Sequence, residues 1–280
     1  MTVAVAFVAG LVAAALLRRT MAATLAHPVL ARENYRGHTL PTAAGLLLVT
    51  AVIAVEGGRA VLGLLGLGDA ATAPARLLVV AAVAAFGFLG LVDDLLGDAH
   101  DRGLAGHLRA AVAGRVTTGF VKLGGGTAVA LVLAGTAVGD RPLRVLVDGA
   151  VIALAANLGN LLDRAPGRTT KWALLAGAAV LVTAGTAATG VALAVVLGAA
   201  AALLVADLRE ELMLGDTGAN ALGAAIGVAT VVEAPTAVRS AVAAALLALT
   251  LLSEVVSFSR IIDAVPPLRW FDRLGRRSAP

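Results

Sequence analysis

The chain has no cysteine, few aromatic residues and few charges. Without cysteine it can form neither disulfides nor thiolate metal sites. Aromatic residues are only 3% of its 280 residues, so any aromatic belt at a membrane surface is thin. Charged residues are 14%, whereas soluble domains carry about 25%. These shortages exclude a disulfide-stabilised domain and argue against a soluble one.

Apolar sequence is what the chain has in abundance: 59% of its residues are hydrophobic, and its mean hydropathy is +0.93. In lipid a helix satisfies its own backbone hydrogen bonds, and about 20 apolar residues cross the hydrocarbon. We predict an all-α, polytopic membrane helical bundle of about nine transmembrane helices, with a tight hairpin around Gly190. The predicted spans are residues 2–17, 41–55, 76–92, 120–139, 145–162, 172–187, 190–206, 217–232 and 238–258.

Basic residues are divided unevenly between the two sets of loops. Of the 22 Lys and Arg residues, 17 fall in one set. Because basic loops stay in the cytoplasm, we predict an outside N-terminus and a cytoplasmic C-terminus. We divide the chain into one transmembrane domain, residues 1–262, and a basic cytoplasmic tail, residues 263–280. The tail joins Trp270 to four arginines, which suits either an interfacial segment on anionic lipid or an ordinary basic flank.

Two adjacent carboxylates, Asp93 and Asp94, end the apolar run 77–92. A carboxylate near hydrocarbon loses hydration, and a neighbouring one adds repulsion. A metal ion, a basic partner or a protonation change would offset that cost. The acids therefore favour a Mg²⁺ and phosphate site, since Mg²⁺ takes oxygen ligands and shares substrate phosphates. The alternative is an ordinary helix end whose acids pair with Arg102 or Arg109.

The sequence Gly215-Asp216-Thr217-Gly218 places glycines around an acid where a loop becomes a helix. Asp216 or Thr217 can cap that helix. The glycines also let the backbone approach a ligand, and a helix N-terminus favours anions. Cap and ligand roles both remain open.

Asn157, Asn160 and Asp163 are spaced by three residues and so share one helix face. Amides and a carboxylate at a helix end suit hydrogen bonding to a polar head group. An interhelical polar clamp is the equally favoured alternative.

Together these motifs resemble the polyprenyl-phosphate N-acetylhexosamine-1-phosphate transferases. The basic segment Arg36–Gly45, with its Pro-Thr pair, is similar to a corresponding family segment, and Asp93-Asp94 to the family's aspartate pair. Asn160-Leu-Leu-Asp163 resembles the core of its Asn-Leu-x-Asp-Gly motif, and Gly215–Gly218 its Gly-Asp-Thr-Gly motif. All four motifs occur in the family's order and fall on the predicted cytoplasmic side.

The resemblance implies a reaction at the cytoplasmic face of a bacterial inner membrane. A polyprenyl phosphate attacks the sugar-linked phosphate of a UDP-amino sugar, giving polyprenyl-diphosphate-sugar and UMP for cell-envelope glycan synthesis. Mg²⁺ is the implied cofactor. The implied partners are the two substrates and the lipid bilayer, with no nucleic acid, and a homodimer is left open. The implied catalytic residues are Asp93, Asp94 and Asp216, of which Asp94 and Asp216 hold the metal. The implied substrate-binding residues are Arg36, Thr42, Asn157, Asn160, Asp163, Arg164, Arg168, Gly215, Thr217 and Gly218.

The loop after Asp163 departs from the family pattern. Arg164 replaces a Gly and Pro166 replaces an Asp, which makes the loop more basic. The histidine-rich loop of the muramoyl-pentapeptide branch is also absent. We therefore favour an amino-sugar-1-phosphate transferase or a divergent paralogue. A non-catalytic binding or scaffold protein of the same fold is the main alternative. A transporter is the other, although no inverted repeat is evident.

Overall fold

The computed structural model describes residues 1–68, 73–97, 114, 117–139 and 141–277, most of which are helical. Arg102 and Arg109, the alternative partners of the aspartate pair, lie outside these ranges. Within them the chain forms twelve α-helices and one short hairpin. The helices are α1 (Val3–Thr20), α2 (Ala22–Leu25), α3 (Gly45–Leu64), α4 (Pro74–Leu96), α5 (Thr118–Val138), α6 (Pro142–Leu162), α7 (Arg168–Ala184), α8 (Ala188–Leu208), α9 (Gly215–Glu233), α10 (Thr236–Val255), α11 (Phe258–Ala264) and α12 (Pro266–Arg273).

Seven of the described helices are long and apolar enough to cross a membrane. Each has at least 18 residues, and thus a length of about 27 Å or more, close to the hydrocarbon thickness. The prediction of an all-α, polytopic helical membrane protein is confirmed at this level. The seven helices are α1, α3, α4, α5, α6, α8 and α10.

The other two predicted spans are also helices, but they do not meet the same criteria. Helix α7 has only 17 residues. Helix α9 has 19 residues but carries Asp216 and Asn220 in its first two turns, and most of it is buried within the bundle. A buried helix need not be uniformly apolar, because its neighbours shield it from lipid.

The predicted turn around Gly190 is wrong by a few residues. Helix α7 ends at Ala184 and α8 begins at Ala188, so Gly190 lies inside the first turn of α8. The helix stops at Gly185, whose φ of +54° breaks the helical geometry at little steric cost.

Helix α9 is central and packs against α3, α4 and α6. Glycines allow the close approach. A Cβ on Gly90 of α4 would lie 2.2 Å from the backbone oxygen of Asp216, and a Cβ on Gly45 of α3 would lie 2.0 Å from the backbone nitrogen of Gly218. Larger residues at either position would push the start of α9 away from the aspartate pair.

A two-stranded antiparallel hairpin, β1 (Ala31–Glu33) and β2 (Thr39–Pro41), lies between α2 and α3. Its Arg32 donates hydrogen bonds to the backbone oxygens of Asp94 (3.0 Å) and Leu95 (3.1 Å). A cation at the end of a helix offsets the partial negative charge of the last carbonyls. The hairpin therefore fixes the end of α4 that carries the aspartates.

The C-terminal residues fold back onto the bundle. The predicted division after residue 262 falls inside α11, and α12 packs beside the start of α7. There the ring of Phe271 meets Trp172 edge-on, with 5.2 Å between the ring centroids. The last described residues are thus part of the fold.

Candidate functional site

Four helices bring polar side chains together at one end of the bundle. The ammonium of Lys122 on α5 lies 2.7 Å from the carboxylate of Asp93 on α4 and forms a second ion pair with Asp216 on α9. Asn160 on α6 completes the group. With its amide nitrogen facing the acid, Asn160 donates to Asp216 at 2.6 Å and accepts from Lys122 at 3.0 Å. Two of the predicted acids and one predicted amide therefore meet around a lysine.

This cluster is accessible in part. The side chains of Asp93, Lys122 and Asp216 are 19%, 21% and 23% exposed. A ligand can reach charges that are otherwise partly shielded from water, where electrostatic interactions are stronger than in bulk solvent.

Asp94 faces away from the lysine and binds the first turn of α9. One carboxylate oxygen accepts from the backbone nitrogen of Asp216 at 2.9 Å. The other accepts from the backbone nitrogen and the hydroxyl of Thr217, at 2.9 and 2.6 Å. Neither Asp216 nor Thr217 is the N-cap, since that position is Leu214. The cap comes from a different helix, and Asp94 is itself the anion at this N-terminus.

Gly215 makes this contact possible. Its φ is +71°, a conformation that side chains disfavour. A Cβ there would lie 2.7 Å from an oxygen of Asp94. Conformation and space both require glycine, so the motif's first glycine has a structural reason. Gly218, the second, packs against α3.

Asp163 directly follows the last residue of α6 and lies beside the same turn, close to Gly215. Burial raises the pKa of Asp163 well above its usual range, and the nearby charges of Asp207 and Asp216 raise it further. Asn157, six residues before Asp163, instead donates to the hydroxyl of Thr250 on α10 at 3.3 Å. Of the three residues predicted to share a face, two point to the site and one joins two helices.

Arg36 and Thr42 lie in or beside the hairpin. The guanidinium of Arg36 pairs with Glu210 at 3.2 Å and donates to the hydroxyl of Tyr35 at 2.7 Å. Thr42 is buried, and its backbone nitrogen donates to Leu30 at 2.7 Å. Both contacts hold the hairpin in place, and a substrate role for either residue stays a prediction.

One of the two arginines that follow Asp163 also has partners within the protein. Arg168 is 3% exposed and donates two hydrogen bonds to the carboxylate of Asp272, at 2.8 and 2.9 Å. It also donates to the hydroxyl of Ser259 at 2.9 Å. Arg164 is exposed. Arg168 therefore serves the docking of the C-terminal segment, which leaves Arg164 as the more accessible cation of the loop.

Lys122 is the site residue that the sequence reasoning missed. It is one of the 17 basic residues on the predicted cytoplasmic side, and it also lies within the predicted span 120–139. A charge inside a predicted span is a functional signal in its own right. That signal could have singled out Lys122 before its partners were known.

The residues fit Mg²⁺ only in part. Among the described residues, no group of three or more His, Cys, Asp or Glu side chains could hold a metal ion. The oxygens of Asp93, Asp216 and Asn160 nevertheless suit Mg²⁺, which often takes one or two carboxylates and completes its shell with water and substrate phosphates. Lys122 contacts the same oxygens, so a metal would compete with the lysine.

These features define a class: a polytopic helical membrane protein with a polar cluster at one end of its bundle. Comparison with protein-family models found no match, and comparison with curated proteins found none either. The likeness to the transferase family therefore depends on the four motifs alone.

Proposed function

We propose that this protein transfers a sugar-1-phosphate from a UDP-amino sugar to a polyprenyl phosphate. The supporting observation is the convergence of Asp93, Asn160 and Asp216 on Lys122. These residues come from separate motifs of the resemblance, and each motif alone has an ordinary structural explanation. Their meeting at one partly exposed point favours a shared chemical role.

In the proposed reaction one oxygen of the lipid phosphate bonds to the sugar-linked phosphorus. The anhydride bond from that phosphorus to the UMP phosphate breaks, and UMP leaves with the electron pair. Both reactants are anions, so positioning and charge neutralisation provide most of the catalysis. Lys122 supplies positive charge for the incoming phosphates, and Asp93 and Asp216 orient its ammonium. Asp93 need not remove a proton, because a phosphate monoester is largely ionised near neutral pH.

Asp94 has a positioning role in this proposal. Its three hydrogen bonds to the start of α9 set where Asp216 lies. Asp163 and Asn160 line the nucleotide side of the site. When bound, Mg²⁺ would neutralise phosphate charge, and Asp216 and Asp93 would hold it. Asp94, the other predicted ligand, instead accepts three hydrogen bonds from the first turn of α9.

We further propose that the site faces the cytoplasm of a bacterial inner membrane. The excess of basic residues on one set of loops supports this orientation, with the N-terminus outside and the C-terminus inside. Nine spans follow if α7 and α9 cross the bilayer within the shelter of the seven apolar helices. A lipid-phosphate acceptor explains why the polar cluster lies where spans end.

A non-catalytic binding or scaffold protein of the same architecture is the second candidate. The contacts of Lys122 support it, since the lysine already neutralises Asp93 and Asp216. Such a site is stable without any ligand.

Membranes that contain the protein decide between the two. They are given polyprenyl phosphate, Mg²⁺ and a panel of UDP-sugars, and UMP release is measured. We expect release with at least one UDP-amino sugar, dependent on the lipid phosphate. Asp93→Asn, Asp216→Asn and Lys122→Gln should each lower the rate by about 100-fold or more. Lys122→Arg, which keeps the charge, should retain more activity than Lys122→Gln.

Glu233→Gln is the matched control. It removes a carboxylate from the other end of α9, about 25 Å from Asp216 by helical rise. Its rate should equal that of the unaltered protein, and thermal unfolding should show that every variant is folded. UMP release unaffected by the Asp93 and Asp216 substitutions would contradict the catalytic assignment. No UMP with any donor would support the scaffold.

A further inference from the structure

The C-terminal residues 258–277 form a surface that the proposed reaction does not use. They contain five arginines and two aspartates. One aspartate, Asp272, is 2% exposed and binds both Arg168 and Arg276, the latter at 2.6 Å. This buried pairing fixes one face of α12 on the bundle.

Two further contacts hold the same face. Lys171 donates to the backbone oxygens of Phe271 (3.0 Å) and Leu274 (3.2 Å), where a helix end favours a cation. Trp172 packs against the ring of Phe271. Because α12 is held in this way, its exposed face has a fixed orientation.

The exposed face is amphipathic. Trp270 is 67% exposed, Leu274 is 50% exposed, and both Arg269 and Arg273 are exposed. They border a shallow cavity of about 500 Å³. Asp263 offsets part of this positive charge. Its carboxylate pairs with Arg273 at 3.1 Å, and its backbone oxygen accepts a hydrogen bond from Arg269 at 3.2 Å.

This face lies at the level where spans end. Helices α6 and α10 run parallel, because Asp148 pairs with Arg239 near their starts and Asn157 bonds Thr250 near their ends. Both are candidate spans. The C-terminal segment leaves the end of α10, and α12 is tied to Arg168, six residues after the end of α6.

We propose that the α12 face of Arg269, Trp270 and Arg273 binds the anionic phospholipid headgroups of the adjacent bilayer leaflet. Guanidinium groups match phosphate oxygens in charge and geometry. Tryptophan favours the membrane interface, and basic residues beside a span are attracted to anionic lipid. This binding is separate from the transfer reaction, and it holds or fails whether or not the protein is an enzyme.

Tryptophan fluorescence tests the proposal, because the chain has only two tryptophans, Trp172 and Trp270. Trp172→Phe leaves Trp270 as the reporter and keeps an aromatic ring against Phe271. The variant is reconstituted in vesicles of phosphatidylcholine and phosphatidylglycerol, with bromine on the acyl chains of one lipid or the other. At equal mole fraction, brominated phosphatidylglycerol should quench Trp270 about twofold more than brominated phosphatidylcholine, and salt should reduce the difference.

Arginine variants test whether Arg269 and Arg273 cause this preference. In the same background, the combined change Arg269→Gln and Arg273→Gln should abolish the preference for phosphatidylglycerol. Arg209→Gln, which removes an arginine of 59% side-chain exposure elsewhere, should leave it intact. A second reporter, Trp270→Phe, leaves Trp172 and should show no preference.

Three results would overturn the proposal. One is equal quenching by the two lipids, and another is a preference that survives loss of both arginines. The third is no quenching by either lipid, which would show that this face lies away from the bilayer.

Discussion

Asp272→Asn should release the C-terminal segment from the bundle. The carboxylate is 2% exposed and accepts two hydrogen bonds from Arg168. Burial raises the pKa of Asp272, but the hydrogen bonds and charge of Arg168 and the charge of Arg276 outweigh it, so the pKa lies below its usual range. The acid is therefore ionised in the folded protein, and the substitution removes a buried negative charge between two cations.

The structure sets the size of this effect. Removing one partner of a buried ion pair costs about 3–5 kcal/mol. We expect about 3 kcal/mol, because an undocked segment returns Arg168 to water and limits the penalty. That energy changes the ratio of docked to undocked molecules by about 150-fold.

Limited proteolysis measures the change. Trypsin cleaves after arginines such as Arg269 and Arg273 once the segment leaves the bundle, and its rate follows the undocked population when redocking is fast. Rates are normalised to those of the denatured chain. Asp263→Asn is the matched control: it makes the same chemical change in the same segment, but its pair with Arg273 is more than half exposed. It should cost less than about 1 kcal/mol, a change of a few-fold at most. Equal cleavage of the Asp272→Asn and Asp263→Asn variants would refute the role of Asp272 in docking the segment.

Two further predictions concern the site. Since the folded state holds the proton of Asp163 more tightly than the unfolded chain does, stability should fall as pH rises above the usual aspartate range. Asp163→Asn should remove that slope and raise the unfolding temperature at neutral pH; an unchanged pH profile would contradict the burial argument. Gly215→Ala should cost about 1–3 kcal/mol from strain plus a contact with Asp94. Gly37 has a similar φ of +77° but open space around it, so Gly37→Ala measures the backbone strain alone. If both variants lower the unfolding temperature equally, the contact with Asp94 contributes nothing.

The apolar runs predicted the helices well because length and hydropathy are local properties. All nine predicted spans correspond to helices in the described residues, although only seven qualify as spans by length and composition. The turn at Gly190 was misplaced because several nearby glycines suit a helix end. The structure selects Gly185, the one of them with positive φ.

Apart from Lys122, the residues of the site were easier to predict than the contacts between them. Asp93 and Asp94 are adjacent, and consecutive helical residues point about 100° apart, so the two acids point in different directions. The sequence does not say which one faces the cluster. Likewise Arg168 gains its partner from Asp272, far along the chain, and no local pattern links the two. Sequence spacing finds residues on one helix face, whereas pairing across helices depends on how the helices pack.

The two adjacent acids that looked costly in the sequence are stabilised in two different ways. Asp94 is offset by the backbone and hydroxyl donors at the start of α9, and Asp93 by the ammonium of Lys122. No bound metal is needed to hold either one. In the proposed reaction, an incoming diphosphate would compete for Lys122, which would free Asp93 and Asp216 to take a cation. In this proposal the same lysine both stabilises Asp93 and Asp216 and receives the substrate. A loss of stability in Lys122→Gln would fit both candidate functions, so only the assay of UMP release separates them.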